Sequence, residues 1–175
     1  MNTGKFNLLT TEHLQTLAPC DQYAAYASAY LESSKTLCAD LVQLPQLAKY
    51  EKGNVVLYLA SHAIELFLKG AIMRKAPEDK LGHDLEHLYN RYKSLYPENR
   101  FHFDMGFTTN YGEMTKQQAA KAKKIVPPID QLFRYPQDRG GKLWFGLYAF
   151  EANSFMVDLK ELEDSFARLL KEFNS

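Results

Sequence analysis

The chain is 175 residues long, with 46% hydrophobic and 24% charged residues. This length suits one domain, and the apolar fraction can offset the conformational entropy of the unfolded chain, so the composition argues against disorder. Basic and acidic side chains number 21 each, which excludes a global charge that would draw the protein to nucleic acid or an anionic membrane. Cys20 and Cys38 lack the spacing of a disulfide framework or a thiolate metal site, so we expect two reduced thiols.

The first two predicted helices fill the first half of the chain. Apolar residues recur at helical spacing over Gln22–Gln43, with Asp21 as the expected N-cap and Pro45 as the stop. A second helix is predicted from Gly53 or Asn54 to Arg74. Because this segment is apolar nearly all round, it belongs at the centre of a helical bundle.

The second half of the chain is less regular. A third helix is predicted over His83–Tyr96, and a pattern typical of a capping box predicts a short helix from Thr115 to Ile125. Segments 132–136 and 142–145 face each other across a Gly-containing loop, which predicts a small hairpin or an ordered loop. The last helix is predicted over Ala152–Phe173.

These elements predict an all-α fold. We expect one domain over residues 1–175, with its core at about 22–173, built as an up-and-down bundle of four to five helices with an irregular insertion before the last. The N-terminus lacks a secretory signal pattern, and the longest apolar stretch, 55–73, carries four polar interruptions that argue against a membrane span. We therefore expect a soluble, cytoplasmic protein without a membrane partner.

The most unusual feature of the second helix is a polar stripe on an otherwise apolar surface. His62, Glu65 and Lys69 are spaced i, i+3, i+7 and must point the same way. A buried charge needs a partner, water or a ligand. Two interpretations follow: a Glu65–Lys69 ion pair at the edge of the bundle, or a groove that Glu65 and Lys69 line.

The third helix begins with Gly82-His83-Asp84-Leu85, followed by His87. His83 and His87 have the i, i+4 spacing of a zinc-binding pair, but no convincing set of further ligands accompanies them, so we predict neither a metal nor a cofactor. The alternative is that His83 or Asp84 caps the helix and that His83 bonds a neighbouring element.

A third polar segment is Arg134-Tyr135-Pro136. A guanidinium is suited to phosphate or carboxylate, and neighbouring aromatic rings can stack a base, so the segment could serve RNA. Alternatively, Arg134 ties the loop to Glu65 or Asp84 while Tyr135 lies in the core. Four lysines between residues 116 and 124 form either a solvated helix face or a patch that contacts phosphates.

The order of these segments resembles the HEPN superfamily. The three pieces are E-L-F-L-K from Glu65 to Lys69, G-H-D-L from Gly82, and R-Y-P from Arg134, and the resemblance spans about residues 22–173. It implies a helical bundle, frequent homodimerisation, and association with RNA cleavage, nucleotidyltransferase partners, or toxin–antitoxin and anti-phage systems.

One departure from that superfamily concerns catalysis. Ribonuclease members resemble one another in an R-x(4-6)-H motif, whereas the nearest pair here, Arg74 and His83, has eight residues between its members. Phosphate-binding and dinucleotide-binding glycine loops, a G-x-S-x-G elbow and an H-E-x-x-H motif are absent from the sequence, which argues against the enzyme classes that use them.

The leading hypothesis is a HEPN-like module, non-catalytic or of unknown activity, that forms a homodimer and binds RNA, a nucleotide or a protein partner. One alternative is a divergent metal-independent ribonuclease with His83 as acid or base and Arg134 holding phosphate. Another is a purely structural interaction subunit. The residues expected to share the groove are Glu65, Lys69, His83, Asp84, Arg134 and Tyr135.

Overall fold

A computed structural model describes residues 10–47, 49–105, 117, 133–137, 140–142 and 150–174. The described residues form five α-helices and include no strand, which confirms the predicted all-α bundle. The helices are α1 (Glu12–Gln15), α2 (Pro19–Gln43), α3 (Tyr50–Lys75), α4 (Leu85–Leu95) and α5 (Ala152–Phe173), with 3-10 turns at Pro45–Leu47 and Asn99–Phe101.

The start of α2 differs from its prediction. The helix begins at Pro19 with Ala18 at the N-cap, so the expectation that Asp21 caps it is wrong. Proline suits the first helical position because its fixed φ matches the helix and its missing N–H has no partner there anyway. Asp21 instead lies in the first turn, where it forms an ion pair with Arg74 of α3.

The central helix is α3, as the sequence predicts, although it begins at Tyr50 rather than Gly53 or Asn54. It lies antiparallel to α2: Ser34 of α2 donates to the Val56 carbonyl near one end, and Gly70 lies against Cys20 near the other. By length and composition α3 could cross a membrane, but 72% of its apolar window is buried inside the bundle, as in the core helix of a folded domain.

Helix α5 packs against both α2 and α3. The rings of Phe67 and Phe166 stack with centroids 3.9 Å apart, which brings the middle of α5 onto the middle of α3. At the start of α5, the Cys38 thiol donates to the Ala152 carbonyl over 3.3 Å, and burial raises the pKa of this thiol to about 11. Cys38 is therefore a buried structural thiol.

Helix α4 is joined to the core through aromatic side chains. Its cap is Asp84, which confirms one of the two capping predictions. Tyr92 is fully buried and its hydroxyl donates to the Phe101 carbonyl, while the Tyr96 hydroxyl donates to the Ala71 carbonyl of α3. Because both buried hydroxyls have partners, the aromatic core carries no unsatisfied tyrosine at these positions.

Several sequence predictions lie wholly or mostly outside the described residues. The short helix from Thr115 to Ile125 is one, since only Gln117 within it is described. The lysines between 116 and 124 and most of the segment 142–145 also lie outside. Of the segment 132–136, the described part begins at Phe133, whose side chain is buried and anchors the following residues to the bundle.

The close approach of α2 and α3 at Gly70 leads to a first prediction. A Cβ atom at Gly70 would lie 2.8 Å from the Cys20 carbonyl oxygen, a backbone atom that cannot rotate away. Alanine is the better helix former, but we expect the clash to outweigh this gain, so Gly70→Ala should lower the free energy of unfolding by about 1–2 kcal/mol.

Urea denaturation followed by circular dichroism measures this change. The matched control is Gly82→Ala, because a Cβ atom at Gly82 would meet nothing within 4 Å. We expect the control to stay within about 0.5 kcal/mol of the wild type. Equal stability of the two variants would contradict the proposed tight contact.

Candidate functional site

The centre of the site is the carboxylate of Glu65 on α3. Its side chain is only 6% exposed, and its Oε1 atom accepts hydrogen bonds from Lys69 Nζ over 2.7 Å and from His83 Nδ1 over 2.9 Å. Three of the predicted site residues therefore meet. The Glu65–Lys69 ion pair is present as one interpretation expected, but it is buried, with Lys69 only 9% exposed, rather than at the bundle edge.

The charge state of Glu65 follows from these neighbours. Burial raises the pKa of its carboxyl, but interactions with His62, Lys69 and His83 outweigh burial and lower the pKa to about 2. Glu65 is therefore ionised at neutral pH and neutralises the ammonium of Lys69. A carboxylate already paired in this way has little capacity left to bind a cation.

His62 forms the other side of this cluster. Its Nδ1 lies 3.6 Å from Glu65 Oε2, and this buried nitrogen has no hydrogen-bond partner among the residues that the structure describes. The imidazole meets the ring of Tyr30 edge-on at a centroid distance of 4.5 Å and lies parallel to the ring of Tyr58 at 5.8 Å. The stripe on α3 thus extends beyond the three predicted residues.

Tyr58 is a site residue that the sequence analysis missed. It precedes His62 by four residues, so Tyr58, His62, Glu65 and Lys69 continue one face of α3, and we name these four residues the α3 stripe. The i, i+4 spacing of Tyr58 and His62 could have indicated from the sequence that they share a face. A tyrosine in an apolar helix, however, is also typical of core packing.

Arg134 contacts the outer end of the α3 stripe. Its guanidinium carbon lies 5.3 Å from the centroid of the Tyr58 ring, and Nη2 donates to the Tyr58 hydroxyl over 3.3 Å. Hydrogen bonds with Tyr58 and Tyr135 raise the pKa of Arg134. The expectation that Arg134 ties its loop to Glu65 or Asp84 is wrong, because the loop reaches α3 at Tyr58, two turns before Glu65.

The remaining predicted site residues lie at the surface. Tyr135 is 53% exposed, so its assignment to the core is wrong. Asp84 Oδ1 accepts a hydrogen bond from the backbone N–H of His87 over 3.0 Å, so its carboxylate caps α4. Within the described ranges, no three His, Cys, Asp or Glu side chains form a group that could hold a metal ion.

The nearest Arg–His pair of the sequence does not form a joint site within one chain. Arg74 pairs with Asp21 and lies 5.6 Å from the centroid of the Phe173 ring. His83 instead pairs with Glu65, which precedes Arg74 by nine residues and faces the opposite side of α3. Arg74 is therefore held by α2 and α5, whereas His83 is held by the opposite face of α3.

The site consists of the α3 stripe and two exposed polar side chains, one of which contacts Glu65 and the other Tyr58. His83 is 71% exposed although its Nδ1 is fixed by Glu65, and the exposed Arg134 is fixed by Tyr58. Tyr58 and Glu65 are seven residues apart, which separates the two anchors by roughly 10 Å along the helix axis. The site can thus offer an imidazole and a guanidinium to one extended ligand.

Comparisons with protein-family models, with curated proteins and with solved structures find no match for this chain. The resemblance to the HEPN superfamily therefore stays a prediction that rests on three short segments. The structure adds the positions of those segments. Glu65 contacts both Lys69 and His83, and Arg134 contacts Tyr58, which lies two turns before Glu65 on the same face of α3.

The lowered pKa of Glu65 leads to a second prediction, on acid stability. The folded-state pKa is about 2 against an ordinary value of 4.5, so ionised Glu65 stabilises the fold above pH 4.5. This contribution is lost as the pH falls from 4.5 through 2, and it amounts to roughly 3 kcal/mol. We expect Glu65→Gln to remove it and to flatten this part of the stability profile.

Urea denaturation at a series of pH values between 2 and 7 measures the effect. At neutral pH, Glu65→Gln should also be destabilised by about 3 kcal/mol or more, because it leaves the buried ammonium of Lys69 without its counter-charge. Glu163→Gln is the matched control, since Glu163 pairs with Lys35 at the surface. A Glu65→Gln profile parallel to that of the wild type would contradict the prediction.

Proposed function

We propose that this protein is a HEPN-like helical module that binds single-stranded RNA through His83 and Arg134, the two exposed side chains that the α3 stripe holds in place. The observation that carries the proposal is the pair of anchored but exposed side chains. His83 is held by Glu65 and Arg134 by Tyr58, so both present polar groups to solvent from fixed positions. Side chains held in this way lose little conformational entropy when they bind a ligand.

The spacing of these groups favours a strand over a free nucleotide. Their anchors on α3 lie roughly 10 Å apart. A stacked single strand advances about 3.4 Å per nucleotide, so about three nucleotides are needed to span the two groups. A mononucleotide would reach one of them, and we therefore expect short oligonucleotides to bind more tightly than mononucleotides.

The homodimer and the cellular system of this module are proposed from the resemblance, and its location is proposed from the sequence pattern. We propose that it acts in the cytoplasm as a homodimer, in a toxin–antitoxin or phage-defence system. Exposed apolar side chains supply surface for a second copy: Tyr26 is 50% and Val55 46% exposed. Light scattering at several protein concentrations distinguishes a dimer from a monomer.

A third prediction tests RNA binding directly. Fluorescence anisotropy with a labelled six-nucleotide RNA should show binding that weakens as salt rises. We expect His83→Ala and Arg134→Ala each to weaken binding about five- to tenfold, because each removes one fixed contact. The probe is an RNA of mixed sequence, with the single nucleotides as competitors.

Two control variants remove similar side chains elsewhere. His87→Ala removes an exposed imidazole. It leaves the backbone N–H of residue 87 in place, which donates to the Asp84 carboxylate. Arg100→Ala removes a guanidinium that pairs with Glu172 at the surface. We expect both controls to bind like the wild type. No binding by the wild type at low salt, or equal losses in all four variants, would refute the proposed interface.

A ribonuclease is the second candidate, because one contact has the geometry of an oriented general base. Glu65 holds His83 at Nδ1, which leaves Nε2 free on an exposed ring to accept the proton of a ribose 2'-hydroxyl. The 2'-oxygen then forms a bond to the adjacent phosphorus while the bond from phosphorus to the 5'-oxygen breaks, which leaves a cyclic phosphate. The leaving 5'-oxygen takes a proton from water and becomes a 5'-hydroxyl. Arg134, whose anchor Tyr58 lies roughly 10 Å along α3 from Glu65, would hold a neighbouring nucleotide rather than the reacting phosphate.

A fourth prediction separates the two candidates. If the ribonuclease candidate is correct, purified protein cleaves RNA and leaves cyclic phosphate ends, and His83→Ala lowers the rate by at least about a hundredfold. His87→Ala is again the matched control and should cleave at the wild-type rate. Equal cleavage by the wild type and His83→Ala would assign the activity to a contaminant and reject this candidate.

A further inference from the structure

We infer that Arg134 and Tyr135 form a base-stacking subsite, in which a nucleobase lies against the guanidinium plane that Tyr58 holds in place. The inference rests on the proposed RNA binding and adds the part of the ligand that this end of the site contacts. It also assigns a positioning role to Tyr58 and His62, which neither stack on the base nor touch phosphate.

Arg134 is held in place by Tyr58 at two points. One terminal nitrogen donates to the Tyr58 hydroxyl while the guanidinium carbon lies over the Tyr58 ring, at 3.3 Å and 5.3 Å. A contact at the ring and a bond at its hydroxyl together restrict the rotation of the guanidinium. Arg134 is nevertheless exposed, so part of this planar group remains open to a ligand.

Tyr58 is itself held in place by its neighbours. Its ring lies nearly parallel to that of His62, with an angle of 11° between the planes, and His62 in turn contacts Tyr30 and Glu65. This series of contacts connects an exposed arginine to the buried ion pair. Since the Tyr58 ring already contacts two neighbours, it is Arg134 and not Tyr58 that offers the free surface.

The exposed groups of this segment have the chemistry that stacks on bases. Tyr135 follows Arg134 in the chain, interacts with it, and is 53% exposed, so an aromatic ring and a guanidinium adjoin each other at the surface. Aromatic rings and arginine planes are the two surfaces on which unpaired RNA bases stack. Buried Phe133 fixes the backbone of this segment against the bundle.

The test compares two probes of equal charge: a six-nucleotide RNA and the same ribose-phosphate oligomer without bases. Binding of both is measured by competition against the labelled RNA. We expect the wild type to bind the RNA about tenfold more tightly than the abasic oligomer. Arg134→Lys keeps the positive charge but removes the planar guanidinium, and we expect it to reduce this preference to about twofold.

Tyr58→Phe tests the positioning role, because it keeps the ring and removes the hydroxyl that accepts from Arg134. We expect it to lower the ratio of RNA affinity to abasic-oligomer affinity about threefold. The stability of the fold, measured by urea denaturation, should stay close to that of the wild type. Tyr50→Phe is the matched control, since Tyr50 is an exposed tyrosine on the same helix, and it should keep the wild-type ratio.

The outcomes separate this inference from the function on which it rests. A wild type that binds neither probe overturns the proposed RNA binding, and the subsite with it. A wild type that binds both probes equally overturns the subsite alone. The subsite is also overturned if Arg134→Lys keeps the tenfold preference, because charge would then account for all that Arg134 contributes.

Discussion

The buried ion pair between Glu65 and Lys69 is the constraint on which the rest of the site depends. Both side chains are less than a tenth exposed, and removing two charges from water costs several kcal/mol per ion unless close partners compensate. The compensation comes from the 2.7 Å contact between them and from imidazoles on two sides. α3 can therefore be the most apolar helix of the bundle and still carry charge at its centre.

This requirement also explains how the segment before α4 is positioned. Glu65 Oε1 accepts a second hydrogen bond from His83, which lies one residue before the Asp84 cap of α4. The start of α4 is thus fixed against α3 by a polar contact. Its C-cap residue Tyr96 donates to the Ala71 carbonyl of α3, and Tyr92 donates to the Phe101 carbonyl beyond the helix. Because the ion pair is buried, a ligand does not contact it directly. The ligand contacts exposed groups beside it, such as the imidazole of His83.

Helical spacing was sufficient to predict the polar stripe, because i, i+3 and i+7 positions share one helix face whatever the tertiary fold. The same argument could have included Tyr58, one turn earlier. The contact between Glu65 and His83 was foreseeable only as one of several possibilities, since it depends on how the chain between α3 and α4 turns. The cap of α4 was easier to predict, because the Asp84 carboxylate needs only the backbone N–H of His87, three residues later, as its partner.

The position of Arg134 lay beyond sequence reasoning for a different reason. The preceding residue, Phe133, is buried, and burial of one aromatic residue outside a regular helix has no periodicity that would indicate where its segment meets the bundle. The consequence is functional as well as structural. Had Arg134 reached Glu65, it would have joined the buried network. At Tyr58 it stays in solvent, where its charge is not already neutralised by Glu65.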